Sequence, residues 1–200
     1  MRMRNPKYKD EVINNCTFLI TDEINFEKEQ PLYIEIGMGK GDFILNHAIN
    51  NPNINYIGIE KYSSVASVAI KKMMNYNLPN LKVIINDIVN LEELLKDKVD
   101  LIYLNFSDPW PKSRHEKRRL TYESFLKIYD KLFKDKCIII QKTDNDDLFS
   151  FSIESLKNYG YKLEEVSYDL HSTDIPNIMT EYEKKFSKEK IKIKYLKAVK

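Results

Sequence analysis

Short apolar runs alternate with longer amphipathic stretches along most of the chain. Leu32–Ile36, Asn55–Ile59, Lys82–Asn86, Val99–Phe106 and Cys137–Ile140 are rich in β-branched residues, which predicts five strands. Between them, Asp42–Asn50, Ser63–Tyr76, Tyr122–Phe133 and Asp146–Asn158 carry helical periodicity, and a short helix is expected near Leu91–Leu95. In the second of these helices Val65, Val68, Ala69 and Lys72-Met73 fall at helical spacing. Near-continuous apolar strands separated by helices indicate a parallel sheet covered on both sides. The right-handed crossover rule makes a doubly wound, Rossmann-like sheet the simplest topology.

The pattern changes near the C-terminus. Tyr161–Tyr168 reads as a strand, and Ile191–Tyr195 alternates as a strand with one buried face. Thr180-Glu-Tyr-Glu183 has the form of a helix capping box. With no clear crossover helix between them, the two late strands suggest an antiparallel edge on a mostly parallel α/β sheet. The whole, residues 1–200, reads as one domain with a short basic N-terminal segment over about 1–20.

Composition narrows the classes. The 200 residues are 42% hydrophobic and 31% charged, as in ordinary globular proteins. No apolar run spans a bilayer, and the basic start is not followed by a signal-peptide core. Cys16 and Cys137 make neither a disulfide framework nor a zinc cluster, and His47, His115 and His171 lack metal-ligand spacing. A cytoplasmic protein without metal is expected. Net charge is only +2, but Lys112, Arg114, Lys117, Arg118 and Arg119 crowd one stretch against the single acid Glu116. The tail from Lys184 to Lys200 is also lysine-rich. Either patch suits a polyanion, although the tail is equally consistent with a solvated face.

Each of the first four strands has an acid near its end: Glu35, Glu60, Asp87 and Asp108. Ligands of open α/β sheets bind beyond those ends. Four carboxylates there repel one another unless a cationic or donor-rich ligand joins them. Between the first strand and helix lie Gly37, Gly39 and Gly41, where glycine permits a tight turn. The third glycine of a dinucleotide fingerprint would fall at Asp42, and an acid at a helix start competes with phosphate. Glu35 and Asp42 therefore fit S-adenosylmethionine, with its sulfonium and ammonium, better than NAD. Glu60 is placed to accept ribose hydroxyls, and Asp87 to accept from adenine or order a loop. Either can instead cap the helix that follows.

The most informative stretch is Asn105–Arg119. Pro109 and Pro111 stiffen the loop around Trp110. A rigid indole beside Asp108 can stack on a base while the acid reads its edge, and the cations that follow can hold phosphates. The Glu35–Gly41 loop, the Ser107–Lys112 block with His115–Arg119, Lys142-Thr-Asp144 and Thr180–Glu183 occur in this order. Together they resemble the bacterial tRNA (guanine-N7-)-methyltransferases over nearly the whole chain, and the Arg2-Met-Arg4 start is similar too.

That resemblance implies methylation of the variable-loop guanine at N7, with tRNA as partner, no membrane, and a monomer or homodimer. It implies that Glu35, Glu60, Asp87 and Asp108 contact S-adenosylmethionine beside Gly37, Gly39 and Gly41. It implies that Lys112, Asp144, Thr180, Glu181, Tyr182 and Glu183 contact the substrate, and that Arg114, His115, Glu116, Lys117, Arg118 and Arg119 touch RNA. Asp108 is the expected catalytic group. Two rivals remain at this stage. An exocyclic-amine methyltransferase carries a related acid-Pro-Pro-aromatic motif, where this chain has Trp110 in place of the second proline. A tRNA-binding module without catalysis would show a damaged glycine loop.

Overall fold

The computed structural model describes residues 5–200, so the Arg2–Arg4 pattern lies outside the described residues. The chain forms two compact units, Met1–Leu95 and Lys96–Lys200. No helix among the described residues is long and apolar enough to cross a membrane.

In the first unit the strands β1 (Leu32–Ile36), β2 (Asn55–Ile59) and β3 (Leu81–Ile84) run parallel in the order β3-β2-β1. All five residues of β2 are buried, as a central parallel strand requires. Helix α1 (Lys9–Asn14) is an addition to the expected elements. Its packing against α3 is accompanied by Lys71 lying 3.9 Å over the Tyr8 ring. Helices α2 (Asp42–Asn50) and α3 (Ser63–Met73) fall where the periodicity puts them. The buried face of α3 is rotated from the expected one, however, and consists of Ala66, Ser67, Ala69, Ile70 and Met73. Ala69 and Met73 are common to both faces, and there the helix comes close to Gly41. A Cβ added at Gly41 would stand 2.9 Å from that of Ala69 and 2.5 Å from Met73 Cε. Gly58 of β2 makes room for Met38, whose Sδ would clash with an added Cβ. The short α4 (Glu92–Leu95) closes the unit.

In the second unit β4 (Leu101–Asn105) pairs in parallel with β5 (Ile138–Thr143). Then β7 (Lys194–Val199) pairs antiparallel with both β5 and β6 (Lys162–Ser167). The helices are α5 (Glu123–Leu132), α6 (Asp146–Asn158) and α7 (Glu181–Lys188). Asn145 caps α6 by accepting from the Leu148 N–H at 2.7 Å. The expected capping box at Thr180 is formed. Two strands differ from expectation. β5 continues through the polar Gln141, Lys142 and Thr143, all buried. β7 begins at Lys194 and is mostly buried rather than alternating, because it has neighbours on both sides. The alternating strand is β6, which ends the sheet order and carries a register shift between Leu163 and Glu165.

The fold class is α/β with seven strands, mostly parallel and antiparallel at the C-terminal end.

Candidate active site

The glycine turn is the candidate site of the first unit. Gly37, Gly39 and Gly41 have φ of +77°, +58° and +75°, a region that side-chain-bearing residues enter at a cost. The N–H groups of Gly37 and Met38 both donate to the Ile59 carbonyl, at 2.8 and 3.0 Å, so the turn is tied to the end of β2. The Gly39 N–H donates to Glu60 Oε2 at 3.2 Å, and the Tyr62 N–H to Glu60 Oε1 at 2.9 Å. Above Gly37 and Gly39 there is open space, with nothing within 4 Å of an added Cβ.

Glu60 is thus both a clip for the turn and a buried acceptor beside it. Burial pushes its carboxyl up from the ordinary value, and the Tyr62 and Gly39 N–H donors with the Lys61 charge offset only part of this. Further donors from a ligand would favour its charged form. Glu35 is buried at the end of β1. Asp87 stands three residues beyond β3 and accepts from the Val89 N–H at 3.4 Å, a local cap. Asp42 is also accounted for locally, since Lys72 of α3 pairs with it and donates to the Lys40 carbonyl at 3.0 Å. The preference for a cationic ligand drawn from Asp42 therefore loses its basis, and Glu35 and Glu60 carry it alone.

In the second unit Asp108 is exposed on the loop after β4. It is bracketed by two bulky residues in the left-handed region, Phe106 at φ +50° and Trp110 at φ +43°. Each has a visible restraint. The Phe106 N–H donates to the Lys142 carbonyl at 2.8 Å, and its ring stacks on Tyr182 at 6.1 Å and meets Phe186 at a tilt at 5.9 Å. The Trp110 carbonyl accepts from Arg119 at 3.2 Å, and Arg119 Nε also donates to the Pro109 carbonyl at 3.0 Å.

The basic run therefore divides. Arg119 is buried, with its guanidinium over the Phe151 ring at 4.5 Å, and differs from the surface cation expected there. Arg118 is exposed and lies over the Trp110 ring at 4.9 Å, while His115 meets the same indole edge-on at 5.8 Å. Lys112, Arg114 and Lys117 are exposed, and Glu116 is half-buried.

The third group of expected residues surrounds Lys142, a residue whose role as an anchor the sequence pattern does not reveal. Its Nζ donates to Glu183 Oε2 at 2.7 Å, Asn177 Oδ1 at 2.9 Å and the Ile178 carbonyl at 2.9 Å. Glu183 is fully buried and also accepts from Asn177 Nδ2, from His171 Nε2 at 2.8 Å and from the Thr180 N–H at 3.2 Å. Burial works against the Glu183 charge. The Lys142 charge, with hydrogen bonds from Lys142, His171 and Asn177, outweighs it and holds the carboxyl below the usual range. Thr180 is buried as the cap, Glu181 and Tyr182 are exposed, and Asp144 is half-buried with its carbonyl accepting from Lys194 at 2.8 Å. Asn177 and His171 were absent from the expected set. Only their distance from Glu183 in the fold, not their spacing, identifies them.

A glycine turn after β1 with a buried acid just past β2, on an α/β sheet with an antiparallel end, is an arrangement that suits a methyltransferase. Residues 29–196 match the family model described as "Putative methyltransferase". Among solved structures, an antibiotic-related methyltransferase shares the fold, with a TM-score of 0.62, 23% identity, and coverage of 96% of this chain and 93% of that one. Among curated proteins, a tRNA (guanine-N(7)-)-methyltransferase of Streptococcus mutans is 47% identical over 94% of this chain and 95% of its own length. One of Limosilactobacillus reuteri is 45% identical over 94% and 93%. The chain belongs to the tRNA (guanine-N(7)-)-methyltransferase family and is an enzyme.

Proposed function

We propose that the chain, acting as one domain in the cytoplasm, transfers a methyl group from S-adenosylmethionine to N7 of the variable-loop guanine of tRNA. The carrying observation is the Gly37–Gly41 turn, with open space over two glycines and the buried Glu60 carboxylate clipped to its edge. A buried acid beside bare backbone fits a donor-rich, cationic cofactor, and Glu35, Glu60 and Asp87 would hold it with Gly37, Gly39 and Gly41. When bound, that cofactor supplies an electrophilic methyl group on its sulfonium. The shared name of the relatives supplies the acceptor.

Guanine N7 has an in-plane lone pair and no proton, so the protein need not remove one. The work left to the chain is orientation of the base and stabilisation of the positive charge that grows on it. Asp108, exposed and held between two restrained residues, is assigned to that charge. Lys112 and Asp144 orient the guanine, and Arg114, Lys117 and Arg118 hold RNA phosphates.

Incubation with unmodified tRNA and labelled cofactor, followed by nucleoside analysis, tests the reaction. 7-Methylguanosine is expected. Label on an exocyclic amine, or no label, overturns it. For Asp108→Asn, turnover should fall at least tenfold more than cofactor affinity, and equal losses would assign Asp108 to cofactor binding alone.

A further inference from the structure

The loop that carries Asp108 is closed on itself by one side chain. Just past the 3-10 helix Ser113–Arg118 the backbone is anchored. The Tyr129 hydroxyl donates to the Leu120 carbonyl at 3.0 Å, and Ser155 Oγ donates to the Thr121 carbonyl at 2.6 Å. Thr121 Oγ1 and Ser152 Oγ share a further hydrogen bond at 2.8 Å. Arg119 leaves from this fixed segment, and its own N–H donates to the Glu116 carbonyl at 2.9 Å. Its side chain turns back ten residues, where Nε reaches the Pro109 carbonyl at 3.0 Å and Nη2 the Trp110 carbonyl at 3.2 Å. One planar fork thus joins the end of the loop to its start, and Trp110, the residue at φ +43°, stands at the joint. Asp108 adjoins Pro109, the first residue held.

The fork also has a floor. The Arg119 guanidinium lies over the Phe151 ring of α6 at 4.5 Å. Phe151 is stacked in turn on Tyr122, the residue before α5, at 6.4 Å with 4° between the ring planes. The Tyr122 N–H donates to the Arg119 carbonyl at 2.9 Å, so both ends of the stack return to the same residue. An aromatic face attracts the cation and fixes the plane of its fork. Arg118, one residue earlier, is exposed, whereas Arg119 is buried and committed to the loop.

We infer that Arg119 is a positioning residue for methyl transfer: supported by Phe151 and Tyr122, it holds the left-handed Trp110 turn and so fixes where Asp108 stands. This rests on the assignment of Asp108 to the reaction above, and it separates Arg119 from the cations that hold RNA.

Trp110 is the only tryptophan of the chain, so its fluorescence reports on this loop directly. Arg119→Lys keeps the charge and loses the fork. With a urea midpoint close to wild type, the variant should show Trp110 more open to acrylamide quenching. Its kcat on unmodified tRNA should fall about 10- to 100-fold, as a displacement of roughly 1 Å produces. Its tRNA affinity and the slope of log affinity against log salt should stay as they are, whereas Arg118→Gln should lower that slope by about 0.7–0.9. Phe151→Leu should repeat the kcat loss at a smaller size, roughly fivefold, and Phe151→Tyr should restore turnover. If Arg119→Lys lowers the salt slope as much as Arg118→Gln does, Arg119 is a phosphate contact and the inference fails. It fails too if kcat stays within about twofold of wild type, or falls with Trp110 quenching unchanged. Should Arg119→Lys not fold, equal turnover for Phe151→Leu and Phe151→Tyr overturns the inference. If the wild-type chain leaves tRNA unmethylated, the enzymatic reading fails instead, and Trp110 quenching alone decides whether Arg119 holds the loop.

Discussion

The glycine turn of the first unit and the Lys142–Glu183 cluster of the second hold their surroundings by opposite means. In the turn, backbone groups are the fasteners. Two N–H groups meet one carbonyl, a third meets Glu60, and the absence of side chains at Gly41 and Gly58 permits the close packing. In the cluster, a pair of charged side chains is the fastener, with the Ile178 carbonyl and the Thr180 N–H as the backbone's share. A buried ammonium and a buried carboxylate face each other, and Asn177, His171 and Thr180 complete the carboxylate's shell. A site built from backbone tolerates many neighbours but few substitutions at its glycines. A site built from paired charges depends on every member being present.

That contrast sets an order of expected effects. The largest belongs to the cluster. Lys142→Met leaves a buried carboxylate facing an apolar side chain, and loss of one partner of a buried pair costs about 3–5 kcal/mol. Urea unfolding should show that loss, with Lys142→Met/Glu183→Met recovering part of it. If Lys142→Met costs under about 1 kcal/mol, the two regions do not differ in kind. Next comes the turn. Gly41→Ala meets both Met73 and a positive φ, and overpacking of this sort costs about 1–3 kcal/mol. Gly37→Ala has open space and only the backbone strain, roughly 1 kcal/mol. Equal melting temperatures for the two variants would remove close packing as the distinguishing feature of Gly41.

The smallest effect is on pH dependence. Because the native Glu183 carboxyl lies below its unfolded value, its charge contributes stability that is fully present above the unfolded pKa. That contribution is lost as pH falls through the native pKa. The stability gap between wild type and Glu183→Gln should therefore narrow in acid. A gap that is constant from neutral pH into the acid range would show that hydrogen-bond geometry, rather than charge, holds the cluster.

The same contrast explains what could be read from the chain alone. Strands β1 and β2 and the intervening turn are legible because their signals are local: continuous apolar runs, then glycines at close spacing. The extension of β5 through Gln141-Lys142-Thr143 is not, since a buried lysine is intelligible only once Glu183, forty-one residues later, is beside it. Arg119 looks like its neighbours in sequence, and only the position of the Pro109 and Trp110 carbonyls turns it inward. The left-handed Phe106 and Trp110 have no sequence mark at all, since neither residue type favours that conformation.

The strand β6 bears on how the molecule behaves in company. It ends the sheet order with Lys162 and Glu164 exposed along it and an irregular register beside Glu164. An open strand invites pairing with another chain, and charged side chains with a bulge spoil it as a template. Among the described residues the sheet thus stops at a border that is ill suited to nucleating fibres or clumps as the protein accumulates.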